Sequence, residues 1–287
     1  MNNKKKITMK AKLIIAVVIG LSLSLFLCRC NKDEDNSNAG INTAKDHTIA
    51  SNLYEDIFKQ VGDAAITVED SIEGKKGYSS INRGCPTITI DHFDLVTWPK
   101  NIVVDFGDEC TDQYGVTRKG IINYNITTFY RDSGCVITVT PQDYYVNDYK
   151  VEGTKTITND GHNASGNLTY TVQVTDAVIT TPYNTTIQWN TTRVNEWVEG
   201  EPTILWPFDD VYLITGEAHG TNSNGKDFTI TVVEPLNVIV GCRWIRSGTL
   251  DIVVEDIPTM TVDYGDGECD AEATITISGN EYGFNMY

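Results

Sequence analysis

The sequence predicts an all-β protein, built of long antiparallel strands in a meander or sandwich-like arrangement, with one short helix near its N-terminus. Three observations carry that expectation. Apolar residues alternate with polar ones in Ile122, Tyr124 and Ile126 against Asn123, Asn125 and Thr127, and again in Tyr170, Val172 and Val174 and in Phe228, Ile230 and Val232. Period two with Val, Ile, Thr and Tyr is the pattern of half-buried strands. Between such runs stand Asp132-Ser133-Gly134, Asn147-Asp148, Asn159-Asp160-Gly161, Asn222-Ser223-Asn224-Gly225 and Asp266-Gly267, residue types that reach the positive φ of tight hairpins. A helical period appears once, in Ile49, Leu53, Ile57 and Val61, with Tyr54 and Phe58 beside them. It does not return, which excludes folds that alternate strand and helix.

Taken in order, residues 1–29 read as an export leader. Lys4, Lys5, Lys6, Lys10 and Lys12 precede an uncharged apolar run, Leu13 to Leu27, which is shorter than the roughly 20 residues of a membrane span. Cys28 and Cys30 follow, and the segment around them resembles the lipobox of bacterial lipoproteins, in which a cysteine receives lipid and becomes the first mature residue. Cys30-Asn31-Lys32-Asp33-Glu34-Asp35 resembles the surface-export signal of Bacteroidetes lipoproteins: cysteine, a variable residue, lysine, then acid. The resemblance implies lipid on Cys30, with Cys28 as the competing position, and an export signal in Lys32, Asp33, Glu34 and Asp35. It also implies an outer-membrane, lipid-anchored address at the cell surface. Buried acyl chains contribute about 0.8 kcal/mol per methylene, so two or more chains hold a protein to the membrane without a spanning helix.

Residues 30–46, rich in Asn, Ser, Asp and Gly, are expected to form the lipidated cysteine and a flexible tether. Residues 47–83 supply the helix and a connection, with Asp46 or Thr48 as the start signal and Gly62 as the stop. The rest divides into a first β unit, 84–200, and a second, 201–287, packed as one continuous body. An internal repeat suggests the division. Ile102 to Cys110, with its Asp105-Phe106-Gly107-Asp108 turn, corresponds to Met260 to Cys269, with Asp263-Tyr264-Gly265-Asp266-Gly267, and each copy has an upstream Gly-Cys pair, Gly84-Cys85 and Gly241-Cys242. Cys85 and Cys110 stand 25 residues apart, Cys242 and Cys269 27, so disulfides Cys85–Cys110 and Cys242–Cys269 are expected and Cys135 is left as a reactive thiol. Zinc is not indicated: there is no C-x-x-C, and His47, His92, His162 and His219 lie at no ligand spacing.

The net charge is −17, from 22 basic and 39 acidic residues. The leader holds six of the basic residues and none of the acidic ones, so without it the charge falls to −23. Such a surface disfavours nucleic acid, whose phosphates require Lys and Arg. No Gly-x-Ser-x-Gly, His-Glu-x-x-His or phosphate-cradling loop occurs, so a non-catalytic role and no cofactor are expected. The two Asp-x-Gly-Asp turns resemble those of PKD-type β-sandwich modules of bacterial surface proteins, over about six residues each. Asp263, Asp266, Glu268 and Asp270 offer a calcium reading, for which a solvated hairpin is the simpler account. Trp189 and Trp197 lie eight residues apart in the polar stretch 184–199; on one unbroken strand they share a face and would form a stacking platform for sugar rings. Taken whole, the leader, tether, helix and segments such as Tyr144 to Thr154 resemble a group of uncharacterised Bacteroidetes lipoproteins, which implies the address and no particular activity. A role in binding or assembly with a surface protein is expected instead from the tethered, acidic, aromatic-bearing β body and the lack of a recognisable nucleophile, base or cofactor loop, with a glycan-binding module as the alternative and a fimbrial subunit or a hydrolase as more distant readings.

Overall fold

The structure is a computed structural model that describes residues 32–73, 80–82, 85–92, 94, 96–202, 209–242 and 244–286; for residues 32–37, 62, 63, 65–73 and 80–82 only the backbone is described. Cys28, Cys30 and Gly84 lie outside the described residues. The chain divides into a short unit, residues 1–39, and a body, residues 40–287.

Among the described residues the protein is all-β with one N-terminal helix. The helix, α1 (Lys32–Glu73), is followed by β1 (Ser80–Asn82), β2 (Thr87–Ile90), β3 (Lys100–Asp105), β4 (Cys110–Thr111) and β5 (Thr117–Ile126). The long strands come next: β6 (Val136–Val146), β7 (Tyr149–His162), β8 (Leu168–Thr180), β9 (Thr186–Glu199), β10 (Val211–Thr221) and β11 (Asp227–Ile239). β12 (Ser247–Val254), β13 (Met260–Asp266), β14 (Glu272–Ile277) and β15 (Asn280–Asn285) complete the sheet. Every pairing is antiparallel and the order follows the sequence from β1 to β15, with β4 set aside against β5. The expected division at residue 200 falls between β9 and β10, which pair from Val211 opposite Glu199 to Thr221 opposite Gln188. The two β units are therefore halves of one continuous sheet.

Alternation places one face of this sheet inward. Ile157, Val172, Ile230, Ile252 and Ile275 are at most 3% exposed, while the opposite face carries a registered row that runs Thr138, Thr156, Gln173, Thr192, Glu217, Thr231 across six strands. Most of the expected hairpins form. Asn147 and Asp148, at φ 45° and 66°, make the two-residue turn between β6 and β7, and the Asn222 carbonyl accepts the Gly225 N–H between β10 and β11. Asn159-Asp160-Gly161 is an exception. It lies inside β7, where the register against β8 slips between Asn159 and Gly161, so its positive-φ glycine serves a bulge. The turn itself comes at Asn163 to Gly166.

The helix is 42 residues long and extends beyond the expected limits at both ends. The stretch 36–46, expected to be a tether, is helical, and from residue 40 onward it is packed: Gly40, Thr43, Ala44 and Asp46 are buried. Its composition disfavours an isolated helix, but tertiary partners override that preference. Asp46 does not cap; its Oδ2 accepts the Ser223 N–H and hydroxyl, both at 2.7 Å. Thr48 donates its hydroxyl to the Ala44 carbonyl one turn back, at 2.9 Å, and the backbone passes through Gly62 to Glu73 without a stop. Between residues 40 and 61 Asn42, Asn52 and Lys59 are the most exposed residues, while the inner face of the sheet fully buries Ala50, Tyr54 and Ile57. Gly40 lies against Met260 on β13 and Ile275 on β14, whereas Asp56 reaches Arg118 on β5, so the contacts of the helix extend from β5 to β14.

Both expected disulfides, Cys85–Cys110 and Cys242–Cys269, are present. The repeat that framed them is also real at the level of geometry. Asp105 Oδ1 accepts the Gly107 N–H and Asp263 Oδ1 the Gly265 N–H, each at 2.8 Å, and the two turns end β3 and β13, strands placed similarly at opposite margins of the sheet.

Candidate functional site

The polar chemistry of the interior is concentrated where α1 meets the sheet. Arg118, 5% exposed, donates to Asp56 at 3.0 Å and to Asp112 at 2.8 Å, and the Tyr144 hydroxyl adds a bond to Asp56 at 3.2 Å. The preceding residue on the helix, Glu55, pairs with Lys155 on β7, at 3.4 Å, and with Arg193 on β9. Burial pulls the Lys155 ammonium down to about 8 against the opposing attraction of Glu55. For Glu55 burial acts upward, and Lys155 and Arg193 outweigh it, holding the carboxyl at about 2. Its side chain remains 45% exposed, so the pair is partly screened, and the desolvated member is Lys155. Lys155 Nζ also donates to the Tyr54 carbonyl at 3.1 Å, and the Tyr54 hydroxyl donates to the Glu152 carbonyl at 2.7 Å. That last approach requires Gly153, at φ 126°, where a Cβ would meet the Tyr54 hydroxyl at 2.6 Å. Further along, the Trp189 indole donates to His47 Nδ1 at 3.0 Å. These groups neutralise one another across the helix–sheet contact, so their chemistry is that of a clamp.

A second cluster reaches solvent at the end of the sheet where β7 and β9 finish and β8 and β10 begin. Trp197 lies between the Tyr212 ring, 5.5 Å away, and the Arg131 guanidinium, 4.8 Å away. Tyr130 and Tyr170 stack at 4.9 Å. Arg131 donates to the Glu201 carbonyl at 3.0 Å, and Glu201 Oε1 pairs with His162 Nε2 at 2.9 Å. Burial pushes the Tyr170 phenol up to about 12 and raises Tyr130 and Tyr212 as well, so all three remain neutral near pH 7. Asp210, beneath them, is raised by burial and by the neighbouring Asp209.

Trp189 and Trp197 do share a face, as their even spacing requires, but it is the inner one. They are 0% and 4% exposed, and Trp197 has its ring faces covered by Tyr212 and Arg131, so the sugar-stacking platform is not formed. Cys135, expected to be reactive, is also buried at 2%; burial raises its thiol, and its Sγ lies 3.4 Å from the Thr128 carbonyl. It is a packing residue. In the calcium reading, Asp263 serves the Gly265 turn and Asp270 Oδ1 accepts the Glu272 N–H at 2.9 Å. Among the described residues no three His, Cys, Asp or Glu side chains gather as metal ligands.

No family model, curated protein or solved structure matches the chain. The clamp residues were missed by sequence reasoning, although Lys155 and Arg193 gave a signal. Each occupies the inward phase of its strand, Lys155 with Ile157 and Arg193 with Trp189, and a charge in an apolar phase calls for a buried partner.

Proposed function

We propose that the chain is a non-catalytic, lipid-anchored outer-membrane lipoprotein displayed at the cell surface, whose β body binds or assembles with surface partners. The observation that carries this reading is the leader ending in Cys30-Asn31-Lys32-Asp33-Glu34-Asp35. Two further features support it. The ionisable groups between helix and sheet are engaged in mutual pairing, and the outward row of Thr, Gln and Glu suits a body that stands in water. The glycan alternative loses the two residues on which it rested, since neither Trp189 nor Trp197 offers a face.

Labelled palmitate is expected to enter the wild-type chain and to be absent from Cys30→Ala, while Cys28→Ala retains it. Label persisting in Cys30→Ala and lost in Cys28→Ala would reassign the lipid. Replacing Asp33, Glu34 and Asp35 with Ala is expected to keep the label but to reduce digestion by external protease on intact cells; unchanged digestion would remove the surface assignment.

A further inference from the structure

The sheet is open, and β15 is its free margin. Which groups that margin exposes follows from the hairpin that precedes it. Ser278 and Gly279, at φ 50° and 82°, form a two-residue turn of the type with two positive φ values, closing Ile277 against Asn280. In such a turn the flanking pair exchanges hydrogen bonds, so Asn280, Tyr282 and Phe284 direct their peptide groups to β14. The Met286 N–H, in the same phase, does bond to the Ala271 carbonyl on that side, at 2.7 Å. Glu281, Gly283 and Asn285 therefore present their N–H and C=O groups outward. All three residues are exposed, and among the described residues no strand or loop bonds to that edge. An edge of this kind is a template for another strand.

The edge is complementary to itself. A two-fold axis through Gly283 places Gly283 opposite its own copy as a hydrogen-bonded pair, and Glu281 opposite Asn285 of the second copy in both directions. No like charges face each other. The same register sets Tyr282 opposite Phe284 of the second copy on the inner face, an aromatic cross-strand pair. Those two rings are only half-buried in the single chain although they pack on the core, whereas Ile275, in register with Tyr282 on β14, is fully buried. The β15 edge also lacks Lys, Pro and any bulge, the usual guards of a margin strand.

We propose that β15 is a self-association edge: two copies pair antiparallel through Glu281, Gly283 and Asn285, joining their sheets into one. The proposal does not rest on the lipid anchor. With a net charge of −17 on the full chain, and −23 without the leader, long-range repulsion opposes the contact and salt screens it, so association strengthens as ionic strength rises.

The test uses the chain as exported, purified in detergent, with three readouts. Sedimentation is expected to show a concentration-dependent dimer, favoured by salt, and Gly283→Pro is expected to remain monomeric in the same micelles. That substitution removes an outward N–H and leaves the β14 bonds intact, so at concentrations where the wild type is also monomeric its thermal melt should match the wild type. Mild oxidation reads the register. Gly283→Cys is expected to cross-link to itself, Glu281→Cys alone is not, and a mixture of Glu281→Cys with Asn285→Cys is. Hydrogen-bonded Cα pairs lie about 5.5 Å apart, within disulfide reach. A wild type that stays monomeric at all concentrations and salts would overturn the proposal. So would cross-linking of Glu281→Cys alone as efficiently as Gly283→Cys, or of β15 cysteines to a different protein.

Discussion

His47 is the residue at which protonation and packing meet most directly. Its Nδ1 accepts the Trp189 indole N–H, which places the ring proton on Nε2 and leaves no acceptor once the ring is charged. Burial, with Arg193 nearby, lowers His47 to about 4. Between that value and the ordinary 6.5 the unfolded chain holds a proton that the native chain does not, so stability falls as pH drops from about 6.5 toward about 4, and this group adds no slope above that window. At pH 4.5 the wild type should be less stable than at pH 7 by an amount on the order of 2 kcal/mol from this site. Denaturant titration of His47→Gln should show a smaller difference between the two pH values; an unchanged difference would exclude His47 as its source. The neighbouring tryptophans show how far residue-level reading extended. Spacing correctly put Trp189 and Trp197 on one face. The side of the sheet was legible in Ile187-Gln188-Trp189-Asn190, where the apolar phase includes the tryptophan, but Arg193 in the same phase obscured it.

At the scale of elements, the strands were legible and the helix only partly. A strand declares itself by alternation, which local chemistry imposes, and β5, β8 and β11 contain the three runs that showed it. The core of α1 was legible for the same reason, from the four-residue recurrence of Ile49, Leu53, Ile57 and Val61. Its first part was not, because Thr43 and Asp46 are held by partners far along the chain: Asn222 Nδ2 donates to the Thr43 hydroxyl at 2.9 Å, and Ser223 binds Asp46. Asp46→Ala removes the acceptor for two donors on that turn and should cost about 1–3 kcal/mol. Asp46→Asn keeps an acceptor without a charge that burial disfavours and should cost less. Lys59→Ala, on the exposed stripe, should stay within about 0.5 kcal/mol. Equal losses in all three by chemical denaturation would mean that the helix is held by its apolar stripe alone.

For the molecule as a whole, the disulfides were the most legible long-range feature, because two similar spacings within a repeated motif left little freedom in pairing. They staple opposite margins of the sheet. Each closes a loop of 25 or 27 residues, worth about 3 kcal/mol in the chain-entropy account. Paired Cys→Ser replacement at either margin should lower the denaturant midpoint by an amount in that range, and since the sites are distant the two losses should add. Markedly less than additive loss would mean that the margins are coupled. That the two units form one continuous body was legible from the repeat, but that they share one sheet was not: nothing in the residues near 200 reveals that β9 and β10 pair.

The path of α1 across the strands also has a kinetic meaning. Each strand of the meander pairs with its sequence neighbour, so sheet formation proceeds through local contacts and a low contact order, which favours speed. The helix is the opposite case: Gly40 must wait for Met260 and Ile275, and Thr43 for Asn222. A chain that emerges N-terminus first presents its helix long before its last partners exist. The early hairpins form while the inner face is still uncovered, and the N-terminal half of the helix can dock only once β10 to β14 have been made.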